Sequence, residues 1–272
     1  MASKPLLVID PGHGGKDSGA VANRLREKDL TLNIAKRTKA ILEAEYNVDV
    51  RLTRTTDVFI GLSQRANFAN ALNADYFCSI HINAGGGTGY EDYIYNRISP
   101  TGTTGKMRAK FHREVFNAIA SYGVKERGMK SANYAVLRET KMPAVLSENL
   151  FIDTVADANL LKKDAFLNAV ARGHANGLAK AMDLAKKAAP SKTKISSSEK
   201  SSSVKMVVVK DNPDGWLWTY NSANWDDKAK KVKPGEAFTV VGEVIVNGAK
   251  MYKLKSGLYI TASPKYVTVK RR

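Results

Sequence analysis

The chain has almost no sulfur chemistry available to it: 272 residues contain one cysteine, Cys78. A lone thiol forms no intramolecular disulfide and builds no Cys-rich metal site. A catalytic thiol stays open in principle, against the commoner reading of a small buried hydrophobe. No apolar run approaches the roughly 20 residues that span a bilayer as a helix, so no membrane insertion is expected. Nor does the chain open on a basic region followed by an apolar stretch of about 7–15 residues. Met1-Ala2-Ser3-Lys4-Pro5 leads almost directly into a short apolar run. The expectation is a protein without a signal peptide, made in the cytoplasm, whose work outside would need another exit route.

What is present is an ordinary globular composition, 43% hydrophobic and 25% charged. That supports a real core without staples and one or two domains. The charge is not ordinary: the net is +17, which calls for a polyanionic partner such as nucleic acid, an anionic membrane or an anionic cell wall. It is also unevenly spread. Residues 1–183 hold 25 Lys+Arg and 19 Asp+Glu, a net of +6, whereas residues 184–272 hold 18 and 7, a net of +11.

Residues 188–203, AAPSKTKISSSEKSSS, have a linker composition. They divide the chain into an N-terminal domain at 1–187 and a C-terminal domain at 204–272. In the first, apolar runs at 6–10, 49–53, 76–83, 91–95, 134–137 and 144–147 read as strands. Stretches at 29–46, 63–72, 104–122 and 164–187 read as helices, the first with Leu30, Ile34, Ile41 and Leu42 on one stripe. Interleaved strands and helices predict an α/β fold with a mixed, largely parallel sheet flanked by helices. The second domain reads as short strands, at 204–209, 237–246, 251–255 and 266–270, separated by turn signals that include Asn247-Gly248. That is the pattern of a small all-β barrel.

Ligand sites in open α/β sheets lie beyond the carboxyl ends of the strands. His13 follows the first strand within Asp10-Pro11-Gly12-His13-Gly14-Gly15, and His81 sits near the end of the 76–83 strand. Alternation puts Phe77, Ser79, His81 and Asn83 on one face and Cys78 on the other, which weakens a Cys–His pair. Glu148 follows the apolar run 144–147. Two imidazoles and a carboxylate can hold zinc and leave a position for water, and a further carboxylate can serve as general base and acid. Spacing alone equally accommodates His13 in a turn and His81 as a hydrogen-bonded sheet histidine. His112 and His174 lie in helical stretches and read as structural or surface residues. Asp10 either supports a metal-bound histidine or ends its strand through a turn hydrogen bond. Asp17 is the other carboxylate near His13.

The motifs are more specific than the spacing. Residues 9–20 (IDPGHGGKDSGA), Glu27 before a Leu-containing helix, Thr53-Arg54 with 62–67 (LSQRAN), 79–83 (SIHIN) and 143–148 (PAVLSE) occur in order. This set resembles the zinc-dependent N-acetylmuramoyl-L-alanine amidases of the amidase-3 family over about residues 5–183. The resemblance implies a Zn2+ cofactor, with His13, Glu27 and His81 as its ligands and Glu148 as the catalytic acid/base. Without it, Glu27 would read as an exposed acid favoured by a helix N-terminus. Arg65 and Asn83 match family positions without an assigned role. One departure is visible: the family has Gly-Phe where this chain has Leu150-Phe151.

The C-terminal domain resembles the small SH3-like wall-binding modules of Bacillus-type phage lysins, through Asp214-Gly215-Trp216-Leu217-Trp218-Thr219-Tyr220 and residues 253–261 (KLKSGLYIT). Trp216, Trp218, Tyr220, Trp225 and Tyr259 would stack sugars or, about half of them, fill a small core. Lys228, Lys230, Lys231 and Lys233 would attract an anionic wall polymer or form a solvated face.

The expected function is zinc-dependent hydrolysis of the amide between N-acetylmuramic acid and L-alanine in peptidoglycan. An endolysin released through membrane holes is favoured over a sporulation autolysin freed when the mother cell lyses. A binding module without catalysis is the alternative from the basic, aromatic tail. A nucleic-acid binder rests on charge alone, since no helix-turn-helix, RNP or zinc-finger pattern accompanies it.

Overall fold

The computed structural model describes residues 4–187, 205–221, 223, 225, 228–246 and 249–271, with the backbone alone at Arg271. The expected linker at 188–203 and the Asn247-Gly248 turn lie outside the described residues. The chain divides into two compact units, Met1–Ser191 and Lys192–Arg272.

In the first unit the order is β1 (Leu6–Pro11), β2 (Val21–Ala22), β3 (Leu25–Arg26), α1 (Glu27–Glu45), β4 (Asp49–Leu52), α2 (Leu62–Ala71), β5 (Tyr76–Asn83) and β6 (Tyr90–Tyr95). Then come α3 (Thr103–Ile119), a 3-10 turn at Ala120–Tyr122, β7 (Glu126–Ala132), α4 (Ala135–Arg138), β8 (Ala144–Phe151), α5 (Val155–Leu161) and α6 (Asp164–Ala181). The six long strands form one mixed sheet, ordered β4-β1-β5-β8-β6-β7. β4, β1, β5 and β8 run parallel, and β6 is antiparallel to β8. The α/β class with a largely parallel sheet is therefore present, and β2 and β3 form a small separate hairpin.

Period-two alternation sorts the central strands onto two cores. Tyr76, Cys78, Ile80 and Ile82 face the cluster containing Ile34 and Leu42 of α1, Phe111 and Val115 of α3, and Phe166 and Val170 of α6. Val8, Phe77 and Leu146 face the other way, onto Ala69 of α2 and Val136 and Leu137 of α4. The two helices α3 and α6 cross closely because α6 offers glycines there: a Cβ on Gly173 would lie 2.8 Å from the Val115 Cα. Each fully buried Phe or Leu in these layers contributes about 1.5–3 kcal/mol.

One expected strand is a helix. Residues 134–137 form the start of α4, its turn closed by Leu137 and Arg138 N–H groups donating to the Tyr134 carbonyl. A four-residue apolar run satisfies either periodicity, and here burial of Val136 and Leu137 on one side decides it. β7 and α5 had no clear sequence signal; both are short and mostly polar or amphipathic.

The second unit is all-β: β9 (Lys205–Val209), β10 (Leu217–Tyr220), β11 (Lys228–Val232), β12 (Ala237–Val246), β13 (Ala249–Leu254), β14 (Tyr259–Thr261) and β15 (Val267–Arg271). They form one sheet ordered β11-β10-β14-β13-β12-β9-β15, with no described pairing between its first and last strands. Val207, Val209, Val232, Leu254, Ile260 and Val267 fill its core.

Candidate metal centre and active site

The ends of β1, β5 and β8 deliver three of the four expected site residues to one place, and the start of α1 delivers the fourth. His13 lies just past β1 with φ 61°, a left-handed conformation costly for a side-chain-bearing residue. Two buried arginines pin that turn. Arg54 donates to the carbonyls of Pro11 and Gly12, and Arg65 to those of Pro11 and His13, at 2.7–3.0 Å. Arg65 also donates to Asp10 at 2.8 Å, and Asp10 takes further hydrogen bonds from Thr53 and Ser79. Asp10 is thus a buried anchor for the loop; the carboxylate that touches His13 is Asp17, accepting from Nδ1 at 2.9 Å. That contact turns Nε2 toward Glu27, whose Oε2 is 3.2 Å away.

Glu27 is buried rather than an exposed helix-start acid. Its Oε1 accepts from His81 Nδ1 at 2.9 Å and from the Ile82 N–H at 3.0 Å, and its Oε2 from the Ala20 N–H at 2.9 Å. One ligand atom from each of His13, Glu27 and His81 lies within 4.8 Å of the other two, a group that can hold a metal ion. Two glycines are forced by this packing: a Cβ on Gly12 would sit 2.3 Å from the His81 ring, and one on Gly19 2.6 Å from Glu27. Although burial opposes its charge, hydrogen bonds from both histidines hold the Glu27 carboxyl well below the usual range. Burial likewise opposes protonation of His81, yet the Glu27 contact and charge raise it to about 9.

Glu148 faces this cluster from β8, in register with His81 on β5. Burial, with the nearby Glu27 and Glu91 charges adding to it and those of His81 and His13 opposing, raises its carboxyl to about 7. Its Oε2 is buried without a hydrogen-bond partner among the described residues. His13, His81 and Glu148 border one cavity of about 250 Å³, which Phe59, Ile60, Leu62, Tyr134, Ala135 and Val136 also line. A carboxyl that titrates near neutrality beside a cation-binding cluster has the properties needed of a general acid/base. By contrast Cys78 is buried on the opposite face with its thiol pushed up by desolvation. His112 pairs with Asp92 and Glu126, and His174 with Ser147 and the Val170 carbonyl, both buried and away from the cavity.

Residues 7–180 match the family described as N-acetylmuramoyl-L-alanine amidase. The chain belongs to this amidase family. The amidase is 55% identical over 268 residues to an endolysin of Bacillus phage SPP1, which covers 98% of this chain and 99% of that protein. It is 53% identical to the N-acetylmuramoyl-L-alanine amidase CwlM of Bacillus licheniformis over 67% of this chain and 71% of that one. The catalytic domain of the amidase CwlV from Bacillus (Paenibacillus) polymyxa superposes with a TM-score of 0.62 at 35% identity, over 66% of this chain and 99% of that chain. Residues 200–267 match a family described as a domain of unknown function.

Two features of the amidase had little or no sequence signal. Glu91 is buried opposite Glu148 in the antiparallel β6-β8 pair. It accepts from Asn83, Tyr93 and Arg127 at 2.6–2.8 Å and pairs with Lys130, which gives Asn83 a role in holding it. Only strand register places it beside the site. The second is Leu150, which takes φ 72° while fully buried.

Proposed function

We propose that His13, Glu27 and His81 hold a Zn2+ ion, and that Glu148 is the acid/base for cleaving the bond between N-acetylmuramic acid and L-alanine. Two imidazoles and a carboxylate gathered within reach of one ion, with both imidazoles sharing a cavity with Glu148, whose buried Oε2 has no partner among the described residues, carry this reading. The donor set suits zinc: nitrogen and oxygen ligands from three side chains, with room for water. Asp17 fixes the His13 tautomer and backbone N–H groups fix both Glu27 oxygens, the support such ligands need. Bound there, zinc would polarise the scissile carbonyl and acidify water.

The chain's own residues do the rest. Glu148, ionised, takes the proton from the attacking water and, protonated, gives it to the leaving L-alanine nitrogen. Its elevated proton affinity suits both halves of that exchange. Phe59, Leu62 and Tyr134 supply apolar walls that orient the substrate and limit water.

In this reading residues 1–187 are the catalytic domain, 188–203 a linker and 204–272 a wall-binding domain. The full-length similarity to a phage endolysin favours that role over a sporulation autolysin, with the enzyme acting on the wall after release from the cytoplasm. Metal analysis of purified protein, joined to mass spectrometry of digested walls, tests it. New L-alanine N-termini without new reducing sugar ends are expected, with loss on chelation and recovery on zinc addition. Glu148→Gln should retain metal and lose about 10²–10⁴-fold in turnover. New reducing ends would instead reveal a glycosidase and overturn the assignment.

A further inference from the structure

Strand register in the second unit builds a face that its sequence shows only in pieces. Across β11, β10, β14 and β13, Lys228 pairs with Tyr220, Tyr220 with Tyr259, and Tyr259 with Lys253. Next to that row, Lys231 pairs with Trp218. The intervening residues Thr219 and Ile260 are fully buried, so by alternation this second set turns away from the core. The result is an aromatic centre bounded by lysines on both sides. Lys228 and Lys253 stand three strand spacings apart, roughly 14 Å.

The aromatics do not close over one another. Trp216 and Trp218 meet edge to face at 5.5 Å, as do Tyr220 and Trp225 at 5.4 Å. Together with Leu217, Thr261 and Tyr266 they border a cleft of about 270 Å³, with Asp214 at its margin. The lysine ammoniums are held over ring faces: Lys231 is 3.6 Å from the Trp216 ring, Lys228 5.6 Å from Trp218, and Lys253 5.9 Å from Tyr259. Such contacts hold the charges in place while leaving them exposed to solvent ions.

We infer that this face binds a phosphate-bearing polyol or sugar polymer of the cell wall. Lys228, Lys231 and Lys253 meet its anionic groups, and the Trp216–Trp218–Tyr220 cleft takes its C–H surfaces. The inference rests on the wall-directed reading above. Charge complementarity selects an anionic occupant, since residues 204–272 hold 13 Lys+Arg and 6 Asp+Glu, a net of +7.

The test uses the full chain and purified Gram-positive walls, before and after hydrofluoric acid removes phosphate-linked polymer. Cosedimentation should weaken at least tenfold on stripped walls. It should weaken similarly for Lys228→Glu with Lys253→Glu on intact walls. Amide cleavage of soluble glycan-peptide fragments should stay within about twofold in that variant, and parent activity on those fragments reports separately on the amidase reading. If charge reversal disturbs folding, judged by circular dichroism, Lys228→Gln with Lys253→Gln serves the same purpose. Binding that ignores both polymer removal and lysine replacement overturns the inference. So does duplex DNA that displaces walls at matched phosphate concentration.

Discussion

His81 and Glu148 occupy paired positions on the adjacent parallel strands β5 and β8. The backbone ladder therefore sets their separation, at about one strand spacing of 4.8 Å. Immediately beyond them the register shifts between His81 and Asn83. The ladder is regular up to the two side chains and breaks just past them.

The proton affinity of Glu148 should be visible in stability. Its folded value of about 7 lies above the ordinary 4.5. The stability due to the neutral acid is then fully present below pH 4.5 and lost as pH rises through 7. In metal-stripped protein, Glu148→Gln should match the parent below pH 4.5 and exceed it above pH 7, by on the order of 2–3 kcal/mol. Urea denaturation from pH 4 to about 8 checks this; parallel stability curves would refute the buried-acid account.

Asp17 accepts from the His13 Nδ1 with one oxygen and from the Gly19 N–H, in the loop beside Glu27, with the other. Asp17→Ala should therefore lower zinc affinity by about 10–100-fold, the usual cost of losing such an orienting partner. Competition with a fluorescent chelator measures it. An unchanged affinity would mean that the strained turn alone orients the ring.

The Asp10–Arg65 pair is buried, at 2.8 Å. Asp10→Asn leaves the guanidinium without its counter-charge and should cost about 3–5 kcal/mol. Since Arg65 also grips the His13 carbonyl, metal affinity should fall with it. Chemical denaturation giving a loss under about 1 kcal/mol would show that the loop does not depend on this charge pair.

Leu150 sets two effects against each other. Truncating a fully buried leucine costs about 2–5 kcal/mol, while φ 72° costs a non-glycine residue about 1–2 kcal/mol. Both Leu150→Ala and Leu150→Gly should destabilise, with the glycine variant the more stable of the two by about 1 kcal/mol. Thermal melts of the pair decide it, and an alanine variant equal to or above the glycine one would contradict the strain.

The candidate site was legible because its four chemical residues sit in ordered local motifs: His13 after a strand, Glu27 before a helix, His81 in an alternating strand, Glu148 at the end of an apolar run. Their supporting residues were less so. Asp17 stood near His13 in sequence, as Asp10 did, and only coordinates show which of the two reaches the ring. Glu91 carries no local signal at all, since its place beside Glu148 comes from pairing β6 antiparallel to β8. The strand expected at 134–137 became α4 because a run of four residues carries too little periodicity to choose between folds.

From its sequence alone the chain determined the main strands and long helices of its first unit, the concentration of positive charge in its last third, and the residue types available to hold a metal. Those depend on short-range patterns and on composition. Tertiary structure decided which of the acids changed character. Glu27 is held ionised by two imidazoles, and burial beside other carboxylates raises Glu148 to about 7. The two are the same residue type. What separates them is desolvation and neighbouring charge, which are set by segments more than fifty residues apart and exist only once the sheet is assembled.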